Sequence, residues 1–189
     1  SRVTSIATYF RSFVYLAFAV VTSFRNRRES ISGDVLFVVF MPASGRSVSD
    51  RELLARYFGG LPDHLRSAGL HPAVLFLPTD SVPGTMSRAE RRTWRSMRRE
   101  LSSITTTSHL TWSVVRRAAR TWTRMRKQAP RIFEIMSDCS KDADLARLST
   151  LIRQDLEDTV FGTASVRVAM LAEMFRSAIQ SSRGVRAVV

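Results

Sequence analysis

Hydrophobic positions fall along the chain in two kinds of pattern. Two runs are continuous: Val35-Leu36-Phe37-Val38-Val39-Phe40-Met41, bounded by Ser32-Gly33-Asp34 and Pro42, and Ala73-Val74-Leu75-Phe76-Leu77, between Pro72 and Pro78. Runs of β-formers without polar alternation predict strands buried on both faces. Between them the spacing becomes helical. Ser49-Asp50-Arg51-Glu52 has the capping-box pattern, Leu53, Leu54, Tyr57 and Phe58 follow, Gly59-Gly60 interrupts, and Leu61 to Ala68 forms a further turn or two ending at Gly69. Strand, helix and strand over 35–77 predict a βαβ unit with parallel strands and a right-handed crossover.

After Pro78 the pattern is helical for much of the remaining chain, predicted over 87–180. Ser87-Arg88-Ala89-Glu90 is another capping-box candidate, and Trp94, Met97, Leu101 and Ile104 form a stripe at spacings of three and four. Leu110, Val114, Ala118, Trp122 and Met125 predict a second helix that stops near Pro130, with a short apolar segment at 132–136 beyond it. Leu145, Leu148, Leu151, Ile152 and Leu156 predict a third helix. Val166, Met170, Met174 and Ile179 predict a fourth, separated from it by the region of Gly162. The segment 185–189 reads as the start of another strand. The division predicted is an amphipathic N-terminal helix over 1–33 and an α/β domain over 34–189.

The uncharged stretch from Ser12 to Phe24 lies between Arg11 and Arg25. It is shorter than the ~20 residues that span a bilayer. Arg25-Asn26-Arg27-Arg28 is a poor cleavage region for a secretory leader, so the stretch is read as a helix. The chain begins at Ser1 without an initiator Met, as either a processed product or a shortened piece would, so its start is not informative.

Composition refines this picture. A hydrophobic content of 44% in 189 residues suffices for a sizeable core. The single cysteine, Cys139, excludes an internal disulfide and has no second Cys or His at metal-finger spacing; a reduced, cytoplasmic compartment is expected. The net charge of +13 is concentrated between 81 and 131, which hold thirteen basic and two acidic residues. Arg88, Arg91, Arg92, Arg95 and Arg99 fall on the helix face opposite Trp94 and Met97, and Arg116, Arg117, Arg120 and Arg124 repeat the arrangement. Such faces either attract phosphates and anionic lipid head groups or are simply solvated.

The loop after the first strand, Pro42-Ala43-Ser44-Gly45-Arg46-Ser47-Val48-Ser49, leaves the strand end where open α/β sheets bind ligands. Gly45 would let the backbone approach a ligand, and Ser44 and Arg46 would meet an anionic or hydroxyl-rich group. An ordinary solvated loop is the other reading. Neither G-x-G-x-x-G nor G-x-x-x-x-G-K-[ST] is present, and no cofactor or metal is expected. His64, His71 and His109 are scattered without triad-like or metal-like spacing. Asp155, Glu157 and Asp158 cluster near Gly162, but acids on a helix surface usually do not serve as catalysts.

Two segments carry a resemblance. Tyr57-Phe58-Gly59-Gly60-Leu61-Pro62-Asp63-His64-Leu65-Arg66-Ser67-Ala68-Gly69, followed by the strand at Ala73, resembles bacterial surface-carbohydrate biosynthesis proteins, in which a "tyrosine, bulky, glycine, x, leucine-proline" helix follows a hydrophobic first strand. Ile152-Arg153-Gln154-Asp155-Leu156-Glu157-Asp158-Thr159-Val160-Phe161-Gly162 is similar to that family's Asp-aromatic, small residue, glycine segment, with Leu156 where an aromatic is usual. The resemblance implies a glycosyltransferase-like protein of O-antigen or capsule assembly, and within it the N-terminal Rossmann-like domain of a two-domain, GT-B-like architecture. In that family a following strand leads to Glu-Asn-Gln and Trp-Glu motifs, which this sequence does not include. Expected with it are a nucleotide sugar near Ser44, Gly45, Arg46, Asp155 and Gly162, a lipid-linked glycan acceptor, and a peripheral place on the inner membrane. The alternative is a non-enzymatic module that binds nucleic acid or an acidic partner through the arginine-rich helices.

Overall fold

A computed structural model describes residues 2–26, 29–40, 55–77, 102–139 and 162–189, with 88, 91, 92, 94 and 95. Its elements in chain order are α1 (Arg2–Ser23), β1 (Val35–Phe40), α2 (Leu61–Ser67), β2 (Pro72–Leu77), β3 (Ser102–Thr105), a 3-10 turn (Thr106–His109), α3 (Trp112–Cys139), α4 (Thr163–Ser181) and β4 (Ala187–Val188). The four strands form one parallel sheet in the order β3-β2-β1-β4. This is the parallel α/β architecture that the two apolar runs predict, and it is Rossmann-like, as the family resemblance implies.

The sheet is covered on both faces, which is why β1 and β2 are apolar at successive positions rather than at alternate ones. Val35, Phe37, Val39, Val74 and Phe76 point to one side, where Phe58, Leu65 and Trp94 pack against them. Leu36, Ala73, Leu75 and Ile104 point to the other and meet Ala178, Phe175 and Ile179 of α4. A third cluster joins α1, α3 and α4 through Ala19, Val114, Ala118, Trp122, Val166, Ala169 and Met170. Helix α4 thus bridges the sheet and the outer helices, and Tyr15 of α1 reaches Arg167 on it.

Local chemistry sets the joints. Helix α2 ends in a Schellman motif: the Leu70 amide donates to the Leu65 carbonyl at 2.9 Å and the Gly69 amide to Arg66 at 3.0 Å, with Gly69 at φ +77°. Asp34 ties the starts of three strands. Its amide donates to the His71 carbonyl at 2.8 Å, its carboxylate accepts the His71 amide at 2.9 Å, and its carbonyl accepts the Arg186 amide at 2.8 Å.

Two expectations are corrected. Ile104 belongs to a strand, not to a helical stripe: Ser102–Thr105 pairs in parallel with Ala73–Phe76. The segment Ser102-Ser103-Ile104-Thr105-Thr106-Thr107 is rich in β-branched residues, and only the coincidence of Ile104 with the spacing of Trp94, Met97 and Leu101 suggested a helix. The helix expected to stop near Pro130 instead runs through it to Cys139, taking in the apolar segment at 132–136. Pro130 is exposed, so water can take over the carbonyl left without its amide partner. The helical segment expected from Leu145 to Leu156 lies outside the described residues.

Candidate functional site

In a parallel sheet every connection leaves from the carboxyl ends of the strands, and ligands bind beyond those ends where the winding reverses. Here β2 and β3 lie on one side of β1 and β4 lies on the other, so the reversal falls between β1 and β4. Phe40 ends β1 there, half exposed, and Leu77 ends β2, buried. Ser44, Gly45 and Arg46 follow Phe40 in the sequence and, with Asp155 and Arg99, lie outside the described residues. Gly162 is described: it caps α4 in an extended conformation, is buried, and accepts the Ser165 hydroxyl at 3.1 Å. Helix α4 packs on the 3-10 turn that follows the carboxyl end of β3, and its far end meets the start of β1 through the Ser32–Arg183 bridge. Gly162 is therefore on the carboxyl-end side of the sheet.

That side also holds a polar group that spacing did not single out. Thr105, Thr106, Thr107 and His109 are buried around the end of β3. The Thr105 and Thr107 hydroxyls are hydrogen-bonded to one another, the Ser108 hydroxyl donates to the Thr105 carbonyl at 2.8 Å, and Asn26 donates to the Thr107 carbonyl at 2.8 Å. The signal was the run of three threonines before a histidine, hidden by its assignment to a helix–helix connection. At the opposite, amino end, Arg66, His71 and Arg183 line a basic depression around Asp34. Asp34 there serves to join strands, and that end carries no ligand role in folds of this kind.

The arginine faces divide. Arg88, Arg91, Arg92 and Arg95 are exposed while Trp94 packs inward, as the pattern predicts. On α3, Arg116, Arg120 and Arg124 are exposed and line a groove of about 590 Å³ floored by Leu16, Val20, Val115 and Ala119 and closed at one end by Trp112. Arg117 leaves this face. Its Nε donates to Glu173 Oε2 at 2.8 Å, and Arg176 approaches Oε1 of the same carboxylate at 3.3 Å. Burial of Glu173 explains the difference, since a carboxylate taken from water must be matched by cations.

Burial pushes the Tyr15 phenol above its ordinary value of 10.0, and the charge and hydrogen bond of Arg167 oppose that rise. Among the described residues no group of His, Cys, Asp and Glu could hold a metal ion, and no helix is long and apolar enough to cross a membrane. Comparison with known protein families, characterised proteins and solved structures finds no match to this chain.

Proposed function

We propose that this chain is the N-terminal Rossmann-like domain of a two-domain, GT-B-like glycosyltransferase-like protein of bacterial surface-polysaccharide biosynthesis. It binds a nucleotide sugar beyond the carboxyl ends of β1 and β4. The observation that supports this reading best is the strand order β3-β2-β1-β4, whose reversal falls at the strand that precedes Ser44, Gly45 and Arg46. Arg46 and the backbone at Gly45 supply donors for a diphosphate. Gly162 and the buried Thr105–His109 segment lie on the same side of the sheet. A lipid-linked glycan is the acceptor in this reading, which places the chain at the cytoplasmic surface of the inner membrane.

The test is calorimetric titration of the chain with a panel of nucleoside diphosphate sugars. Saturable binding of at least one is expected, weakened about tenfold or more by Arg46→Ala through loss of a charge-assisted hydrogen bond. A panel in which nothing binds overturns the reading. The exposed row Arg116, Arg120 and Arg124 favours a second one, a non-enzymatic module for nucleic acid or an acidic partner. It predicts duplex affinity that falls steeply with salt.

A further inference from the structure

Helix α1 is apolar on two faces. Ser12, Ala19 and Ser23 are buried against the protein, and Leu16 and Val20 pack beside them. The opposite face carries Phe10, Phe13, Val14, Phe18 and Val21, and Phe24 follows the last turn, at spacings of three, one, four, three and three, each between 47% and 76% exposed. The Phe13 ring leans edge-on against the buried Trp122 at 6.1 Å, while the helix and the turn after it expose Phe10, Phe18 and Phe24 and bury small residues. Such a contiguous patch marks a surface that meets something apolar. Phe24 stacks on the half-exposed Trp112 with ring centroids 6.4 Å apart, which carries the patch onto α3 and to the groove beneath Arg116, Arg120 and Arg124.

The charges say what that something is. No Asp or Glu occurs before Glu29, and none between Glu100 and Glu134, so neither α1 nor α3 as far as Arg131 carries an acid. Arg11 and Arg25 are exposed on or beside α1, and none of Arg116, Arg120 and Arg124 pairs with a carboxylate among the described residues. An aromatic stripe bordered by arginines matches a bilayer surface, with apolar side chains among the upper acyl chains and cations at the phosphates. A duplex would use the arginines and leave the phenylalanines in water. A second copy of the chain would bring arginine row toward arginine row.

We infer that the outer face of α1 and the Arg116–Arg120–Arg124 row of α3 together form a docking surface for an anionic phospholipid bilayer, with α1 lying in the plane of the interface. This rests on the peripheral-membrane part of the proposed function and is separate from the nucleotide-sugar site. Vesicle binding without sugar-nucleotide binding would remove the glycosyltransferase reading alone, and the reverse would remove the docking surface alone.

Flotation of the full chain with vesicles tests it. Binding is expected to vesicles containing phosphatidylglycerol and not to pure phosphatidylcholine. Arg116→Glu/Arg120→Glu/Arg124→Glu should weaken it about a hundredfold or more, from the attraction each cation contributes near an anionic surface. Phe10→Ser/Phe18→Ser, two exposed ring positions on the outer face of α1, should weaken it on the order of tenfold even at low salt, with an unchanged circular dichroism spectrum. In the unmutated chain, lipids brominated near the head group should quench tryptophan fluorescence more than lipids brominated deep in the chain, and Trp112→Phe should remove most of that quenching. Equal binding to both vesicle types, or to neither, overturns the inference. So does duplex binding that survives the phenylalanine substitutions in a chain that ignores vesicles, or a phenylalanine effect confined to the oligomeric state in light scattering.

Discussion

The Arg117 guanidinium donates to Glu173 across 56 positions of sequence, joining α3 to α4 at 2.8 Å. The Glu173 side chain is 6% exposed and that of Arg117 is 38% exposed, so the carboxylate depends on its cations more than they depend on it. Arg117→Met is expected to lower stability by about 1–3 kcal/mol, less than a fully buried pair would cost because Arg176 stays in place. Adding Glu173→Leu to that variant should restore part of the loss, because the stranded carboxylate is removed. Urea unfolding of the two single variants and the double variant measures this. A double variant less stable than Arg117→Met alone would show that the pair itself contributes net stability.

Two glycines respond to substitution for different reasons. A Cβ on Gly33 would sit 2.8 Å from the Ala73 Cβ and 2.9 Å from the His71 carbonyl oxygen, where β1 begins beside β2. Gly33→Ala should therefore cost about 1–3 kcal/mol by overpacking, and Gly33→Asn more. Gly69 has open space around it but holds φ +77°. Gly69→Ala should cost about 1 kcal/mol and Gly69→Asn less, since Asn tolerates that conformation. Thermal unfolding of the four variants reads the reversal of order directly.

Tyr15 gives stability a dependence on pH at the alkaline end. Its folded pKa is raised above 10.0, so the native state holds the phenol proton more tightly than the unfolded chain does. Stability from this group is complete below the unfolded value, falls as pH rises past it, and is lost once the folded value is exceeded. The melting temperature should drop as pH rises past about 10, the ordinary phenol value, and Tyr15→Phe should make the drop smaller. Equal drops in both proteins would place the effect elsewhere.

Pro130 sits inside α3, where it removes one backbone hydrogen bond and crowds the preceding turn. Because the position is exposed, Pro130→Ala should stabilise the protein by about 1–3 kcal/mol. A lower melting temperature for the variant would mean that the bend at Pro130 is needed for packing.

The residues alone determined the class of fold, because a strand covered on both faces must be apolar at every position, as 35–40 and 73–77 are. They determined the end of α2 as well, through the glycine at its left-handed cap. The inward set of Trp122, Val166 and Met170 could be read in the same way, from helical spacing. What pattern could not supply were relations between distant segments. Ser102–Thr105 becomes a strand only because β2 offers it a row of backbone partners; its one apolar side chain carries no period of its own. Arg117 looks identical to Arg116, Arg120 and Arg124 on a helix diagram, and only the packing of α4 brings Glu173 to it and takes it off the surface. The same packing decides that α1 buries alanine and serine and exposes phenylalanine. Burial is a property of where helices meet, and hydrophobicity along one helix does not say which of two apolar faces its neighbours will cover.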